Sequence, residues 1–268
     1  MSSATEHKTL FTPEAYADMT AWFESPLGQR LLAAERQLID QMLARRFGYH
    51  LLQLGCADLQ LHEQSPMGHK FSFRPWLGAG TGHAAVAEME AIPLAGESVD
   101  LVLLHHALDF SEYQHQLLRE VERVLIAGGH VIIVGFNPFS SWGLRNKLQL
   151  FRRKAPWHAC MLRTARLIDW LKLLDFQVEQ VRYGMYALPV NSESVIRYSG
   201  LLDPAAAHLN WPTGGVYAIS ARKQVLPLTP VQTKWRSMPV HGLGLPMPDK
   251  VGKVARHLIA ASNEDSST

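Results

Sequence analysis

Two consecutive histidines, His105 and His106, follow an apolar run, LVLL, that is typical of a buried strand. Free imidazole has a pKa of about 6.5, so a histidine at a strand end can accept a proton from an acidic substrate. Because side chains alternate along a strand, the sequence predicts that one imidazole points into a cleft and the other points away. Both histidines are candidates for catalysis, and histidines that only make hydrogen bonds are the competing interpretation.

A metal site is conceivable from Cys56, His62 and His69, because thiolate and imidazole are the donors that zinc prefers. Their spacing matches no zinc pattern, and the 13 histidines of the chain are scattered. We therefore predict no metal site.

Composition favours one enlarged α/β domain for the 268 residues. Two cysteines, Cys56 and Cys160, cannot build a disulfide framework, which indicates a reducing, cytoplasmic location. The N-terminus lacks the basic head and apolar run of a secretory signal, and no stretch approaches the roughly 18 apolar residues of a membrane span. The formal charge of +2 is too small to imply nucleic-acid binding by itself.

The chain divides into three regions by pattern. Residues 12–47 read as helical, with Thr12 as N-cap and Gly48 at the end, so residues 1–48 are predicted to form a helical cap. Its apolar stripe contains Leu31, Leu32, Leu38, Ile39 and Met42. Residues 49–223 are the predicted α/β domain. Residues 224–268 hold five prolines and are predicted to be a tail with one short helix near 249–260.

Buried-strand patterns and helical patterns alternate within 49–223. A strand, a helix, Gly128-Gly129 and another strand follow in order, which predicts parallel strands joined by a right-handed crossover. The predicted strands are 50–54, 70–73, 84–89, 101–106, 130–136, 176–183 and 215–223, and the predicted helices are 110–125 and 162–174.

Three segments, LLQLGCADLQ, VAEMEAIPLAGESVDLVLLHHAL and LLREVERVLIAGGHVIIVGF, resemble the class I S-adenosylmethionine-dependent methyltransferases, in the UbiE-like type 11 branch. The resemblance covers about residues 49–223 and is most specific over 92–136, where Asp100 opens a strand at the family's spacing. It implies a doubly wound, mostly parallel, seven-stranded Rossmann-like sheet of order 3-2-1-4-5-7-6, with strand 7 antiparallel. It also implies S-adenosylmethionine as the cofactor.

The same resemblance implies cofactor contacts at the carboxyl ends of the first, third and fourth strands. Glu88 stands where the family accepts a hydrogen bond from the adenine amino group, beside the apolar Met89. The implied cofactor-binding residues are Gln53, Gly55, Cys56, Ala57, Glu88, Met89, Leu104 and His105.

The chain departs from the family pattern after the first strand. Gln53 replaces an acidic residue, and Ala57 and Leu59 replace two of the three glycines that let the cofactor approach the backbone. The stretch 56–83 has room only for helical stubs, and Arg74 stands where the family has the acid that binds the ribose. Gly78–Gly82 is placed too late to be the missing glycine loop and reads as a connection. The loop at 55–59 therefore either binds the cofactor or is an ordinary turn.

Asn137 and Arg145 lie where acceptor substrates approach in this family, so they are the candidate substrate-binding residues. The basic, amphipathic stretch 145–172 could seat a small anionic acceptor, a membrane surface or RNA, and a solvated helix is the plain alternative. The sequence favours an enzyme that transfers methyl groups to a small molecule. A cofactor-free protein of the same fold, acting as a binding or scaffold module, is the alternative. The sequence disfavours a nicotinamide enzyme, because residues 55–60 lack the Gly-x-Gly-x-x-Gly motif.

Overall fold

The computed structural model describes residues 12–57, 59–75, 84–148, 159–189 and 209–224, which belong to one compact unit, Met1–Leu226. The Gly78–Gly82 segment, residues 149–158 of the basic stretch and the helix expected near 249–260 lie outside these ranges. In chain order the elements are α1 (Pro13–Phe23), α2 (Pro26–Leu43), β1 (His50–Gly55), β2 (His69–Arg74), β3 (Ala85–Val86), β4 (Val99–His105), α3 (Ala107–Phe110), α4 (Gln114–Val124), β5 (Leu125–Phe136), α5 (Ser141–Leu148), α6 (Thr164–Leu173), β6 (Phe176–Gly184) and β7 (Val216–Lys223).

The strands form one seven-stranded sheet of order β3-β2-β1-β4-β5-β7-β6. Strands β1 to β5 pair in parallel, and β7 runs antiparallel to both β5 and β6. This topology confirms the predicted fold class. The order reverses beside β1, and in such sheets ligands bind at the carboxyl ends of the strands next to the reversal.

Alternation along the central strands divides the core into two layers. In β4, Leu101 and Leu103 pack on the same face as α1 and α2, whereas Val102 and Leu104 pack on the face covered by α4 and α6. All four side chains are fully buried. The predicted apolar runs thus correspond to strands that are covered on both faces, as parallel sheets require.

The N-terminal helical region consists of two helices, whereas the sequence predicted continuous helix over 12–47. Ser25 interrupts it, because its Oγ accepts a hydrogen bond from the Gly28 amide at 3.1 Å and Pro26 begins α2. A Cβ on Gly28 would lie 2.2 Å from the Trp22 carbonyl oxygen. Gly28 therefore lets the start of α2 pack directly against the end of α1.

Two other elements differ from the predicted bounds. The strand expected over 84–89 contains only Ala85 and Val86, both exposed, because β3 is an edge strand that pairs with β2 alone. The helix expected over 110–125 breaks at Ser111, whose Oγ accepts a hydrogen bond from the Tyr113 amide at 3.1 Å. Serine here competes with the helical hydrogen bonds, so α3 and α4 are separate helices.

The connection from β1 to β2 has no helix in its described residues, 56–57 and 59–68, where the sequence left room only for helical stubs. Helices α1 and α2 pack instead on this face of the sheet. Among the described residues, no helix has both the length and the apolar character that crossing a membrane would require.

Candidate active site

A cleft of about 70 Å³, partly open to solvent, lies along β2 and at the carboxyl end of β1. Ligand pockets in proteins usually measure roughly 300–1,000 Å³, so the described part of the cleft holds only part of a cofactor-sized molecule. The position is the one that the strand order predicts for a ligand. The lining residues are Tyr16, Gln53, Gly55, Ala57, Leu59, Gln60, His62, Lys70, Phe71, Ser72, Phe73, Arg74 and Ala84.

The charged groups that line the cleft are cationic. Lys70 and Arg74 come from β2, and none of the described lining residues carries a carboxylate. Lys70 is held by the backbone, since its Nζ donates hydrogen bonds to the carbonyl oxygens of Glu63 and Ser65 at 3.1 and 3.2 Å. The cleft therefore suits the anionic part of a ligand better than a cationic part.

Gly55 leaves space at the end of β1. A Cβ at this position would lie 3.6 Å from the carbonyl oxygens of Ala57 and His105, which is ordinary van der Waals contact. Packing inside the protein therefore does not require glycine here. Its missing side chain instead leaves room in the cleft, and Ala57, the next small residue, lines the same wall.

Gln53 shapes the loop that follows β1. Its Oε1 accepts a hydrogen bond from the Leu61 amide at 2.9 Å, and its Nε2 donates to the Leu59 carbonyl oxygen. Both ends of the side-chain amide are thus occupied by the backbone of residues 59–61. The predicted contact between Gln53 and a ligand ammonium group would have to compete with these bonds.

Five other predicted cofactor-binding residues do not line the cleft, and one of them, His105, belongs to the buried group described below. Glu88 is exposed just beyond β3, and Met89 is buried beside it. Leu104 is fully buried in the core layer under α4. Cys56 is buried in the layer under α2, and burial raises the pKa of its thiol. The cleft thus brings together Gln53, Gly55 and Ala57, and it leaves Glu88 at a neighbouring strand end.

His105 and His106 both contact one carboxylate. The Nε2 of His105 lies 2.9 Å from Glu35 Oε2, and the Nε2 of His106 lies 2.7 Å from Glu35 Oε1. This corrects the prediction that the two imidazoles point in opposite directions. The reason is that β4 ends at His105 and His106 adopts a left-handed backbone with φ of 53°, which turns its side chain to the same side.

Burial and the neighbouring charges compete at this cluster. Burial alone would raise the pKa of Glu35, but the two imidazoles outweigh it and lower this pKa to about 2. Burial would lower the pKa of His106, but the Glu35 carboxylate and Asp109 raise it to about 9. At His105 burial prevails and the pKa is lowered, so its contact with Glu35 is a hydrogen bond from a neutral imidazole.

Asp109 lies on the other side of His106. Its Oδ2 is 2.7 Å from His106 Nδ1 and accepts a hydrogen bond from the Phe136 amide at 2.9 Å. Burial raises the pKa of Asp109, although the contact with His106 opposes the increase. Glu35, His105, His106 and Asp109 form a buried polar group, hereafter the Glu35 cluster.

The sequence analysis missed Glu35 and Asp109. Glu35 falls on the apolar stripe of α2, four residues from both Leu31 and Ile39, and all three side chains are buried. A carboxylate on the buried face of an amphipathic helix was the signal that could have identified it, because carboxylates are almost never buried without a partner.

The two predicted substrate-binding residues, Asn137 and Arg145, are both at least partly buried. Asn137 is buried, donating to the carbonyl oxygens of Pro212 and Gly214 at 2.8 Å each and accepting from the Phe139 amide at 3.0 Å. Its side chain therefore holds the rim loops rather than facing a ligand. Arg145 is half-buried on α5, and burial lowers its pKa.

Part of the basic stretch packs on aromatic rings. Arg163 lies 5.1 Å from the centre of the Phe139 ring, and Arg166 lies 4.9 Å from that of Trp170. These guanidinium groups contribute to packing as well as to surface charge.

A family model described as "Methyltransferase domain" matches residues 72–133, and a model of an uncharacterized protein conserved in bacteria matches residues 8–46. The chain is 31% identical over 218 residues to the uncharacterized protein YafS of Escherichia coli, covering 81% of this chain and 86% of YafS.

Solved structures of low sequence identity share the fold. A S-adenosylmethionine-dependent methyltransferase of Thermotoga maritima, described as a possible histamine N-methyltransferase, superposes with a TM-score of 0.57 at 16% identity, covering 76% of this chain and 93% of that one. One from Aquifex aeolicus gives a TM-score of 0.50 at 12% identity, covering 77% and 98%.

Proposed function

Since the chain belongs to the family of YafS, within the class I S-adenosylmethionine-dependent methyltransferases, we propose that its cleft binds S-adenosylmethionine and that it methylates a small-molecule acceptor. The observation that carries this proposal is the cleft beside Gly55, at the carboxyl end of β1, the strand beside which the strand order reverses.

The residues present fit the cofactor in position, with different charged groups from those of the family pattern. Gly55 and Ala57 leave room for a close approach, and Gln53 fixes the wall at 59–61. Lys70 or Arg74 would pair with the cofactor's carboxylate, and the exposed Glu88 would accept a hydrogen bond from the adenine amino group. When bound, the cofactor supplies an activated methyl group on its sulfonium.

Methyl transfer to a nucleophile needs positioning and exclusion of water more than a particular side chain. The proposal assigns no proton transfer to His105 or His106, because both are fully buried and engaged with Glu35. Arg145 and the rim held by Asn137 are the proposed acceptor side of the site. The proposed compartment is the reducing cytoplasm, since Cys56 and Cys160 are both free thiols.

A pair of glycine variants tests the location of the cofactor. Gly55→Val places a branched side chain in the cleft and is expected to weaken S-adenosylmethionine binding at least tenfold. Gly68→Val is the matched control, because a Cβ on Gly68 meets nothing within 4 Å and Gly68 does not line the cleft. Calorimetry on both variants checks this. Equal affinity in the two variants would move the cofactor away from Gly55.

A binding or scaffold protein without a cofactor is the second candidate. It is favoured by two observations, the engagement of both ends of the Gln53 amide by the backbone and the absence of carboxylates from the described cleft lining. It predicts that Glu88→Gln leaves cellular function intact. Loss of function comparable to deletion, with Glu63→Gln as an exposed-glutamate control, would exclude it.

A further inference from the structure

The Glu35 cluster brings three metal-ligand atoms together inside the protein. The side-chain donors of Glu35, His105 and His106 lie within 4.8 Å of one another, and all three residues are fully buried. We propose that these three side chains bind a divalent first-row transition ion such as Zn²⁺, a site that joins α2 to the carboxyl end of β4. The proposal is independent of whether the neighbouring cleft binds a cofactor.

The donor set determines the class of ion. Two imidazole nitrogens and one carboxylate oxygen suit Zn²⁺ or Fe²⁺, whereas Mg²⁺ and Ca²⁺ prefer oxygen ligands. Three protein ligands also leave a coordination position for water, as in many zinc sites with His and Glu ligands.

The positions of the donors already approximate a coordination sphere. Each Glu35 oxygen lies 2.7 or 2.9 Å from an imidazole nitrogen, and tetrahedral zinc bonds of about 2.0–2.2 Å place neighbouring donors roughly 3.3–3.6 Å apart. Only small side-chain movements would therefore admit an ion.

The backbone at His106 is arranged for this convergence. A left-handed conformation, here φ of 53°, is unfavourable for a residue with a Cβ, and such strain concentrates at functional sites and ligand clamps. The left-handed backbone brings two consecutive imidazoles to one carboxylate. Regular strand alternation would place them on opposite sides.

Asp109 supplies the outer contact that ligating histidines usually have. Its carboxylate lies 2.7 Å from His106 Nδ1, the nitrogen that faces away from Glu35. Metal-bound imidazoles typically donate this second N–H to a carboxylate or carbonyl, which fixes the ring and strengthens the donor. Asp109 is itself fixed by the Phe136 amide.

A bound ion would take the place of a proton in this cluster. Both nitrogens of His106 face carboxylate oxygens, so without metal a protonated imidazole satisfies Glu35 and Asp109 together. Across the described ranges, neither Glu35 nor Asp109 is hydrogen-bonded or ion-paired to a lysine or arginine. A divalent ion would replace the proton on His106 Nε2, and the Nδ1 proton would remain for Asp109.

Metal analysis of the full chain tests the proposal. We expect protein purified from zinc-supplemented medium to contain about one ion per chain, and chelator-stripped protein to take up one Co²⁺ with visible absorption bands. Asp109→Asn is expected to weaken the affinity about 10–100-fold, the usual effect of losing an outer carboxylate. Glu35→Gln is expected to weaken it by more than 100-fold.

A surface histidine pair provides the control. His50 and His69 contact each other through their Nδ1 atoms at 3.0 Å at the amino ends of β1 and β2, near the protein surface. The double variant His50→Ala/His69→Ala should keep the bound ion. Loss of the ion in this variant, or wild-type protein that neither contains metal nor binds micromolar Co²⁺, would overturn the proposal. The wild-type result decides even where Glu35→Gln does not fold.

Discussion

The two polar regions at the carboxyl ends of the strands differ in exposure and in charge. The cleft beside β2 is partly open and lined by Lys70 and Arg74, with no carboxylate among its described residues. The Glu35 cluster at the end of β4 is sealed and contains two carboxylates and two imidazoles. They adjoin through the β1–β4 pair Gly55–His105 and the 3.2 Å hydrogen bond from the Cys56 amide to the His105 carbonyl oxygen.

In the family pattern, one loop after the first strand provides both the space for the ligand and an acidic residue. In this protein the space and the acids lie in different regions. The open region has space for part of a ligand but lacks the expected acid. The closed region has the acids, but its side chains bind each other and α2, so they hold the N-terminal helices on the sheet. The chemical role of a side chain at a strand end can therefore be predicted only when its exposure is known.

The largest expected effect is a loss of stability when the Glu35 cluster is disrupted. Glu35→Ala leaves two buried imidazoles without their shared acceptor, so we expect the free energy of unfolding of metal-free protein to fall by about 3–5 kcal/mol. Urea unfolding in the presence of a chelator measures this. Gln37→Ala, on the exposed face of the same helix, should cost less than about 0.5 kcal/mol. Similar losses in both variants would show that the Glu35 cluster does not stabilise α2.

Much of the fold could be predicted from the sequence because the signals are local. The fully apolar run of β4 and the glycines within β5 identified the central strands, and Asp100 was found from its spacing. The structure gives Asp100 a local purpose: its Oδ2 accepts hydrogen bonds from the Tyr49 and His50 amides at 3.1 and 2.8 Å, which aligns β1 with β4.

The site was harder to predict because its contacts are not local. Glu35 is 70 residues from His105, so no spacing rule connects them. The alternation rule failed at His106 because it assumes that the strand continues, and here it ends one residue earlier. The zinc-pattern test at Cys56, His62 and His69 considered only ligands close in sequence.

A smaller effect is expected in the open region. Gln53→Ala removes two hydrogen bonds to residues 59–61, so we expect a loss of stability of about 1–2 kcal/mol. Affinity for S-adenosylmethionine should fall in the same variant because the loop wall is released. Gln60 is an exposed residue that also lines the cleft. Gln60→Ala is therefore the control for losing a lining side chain while the two hydrogen bonds of Gln53 stay in place. Unchanged loop protection in hydrogen exchange would contradict this role.

The smallest expected effect is a difference in reactivity between the two cysteine thiols. Cys160 is exposed, whereas Cys56 is buried and its thiol pKa is raised by burial, so one thiol should react with a disulfide reagent in native protein and two after denaturation. Cys160→Ser should remove the fast reaction. Two equally fast thiols in the native wild type would show that the region under α2 is open.

Calorimetric titration of the wild-type protein with S-adenosylmethionine, and with its demethylated product, tests the central claim most directly. The account predicts saturable binding of one cofactor per chain with micromolar affinity, weakened by Gly55→Val and unaffected by Gly68→Val. No heat and no thermal shift at millimolar cofactor would contradict it and would leave the fold without its proposed chemistry.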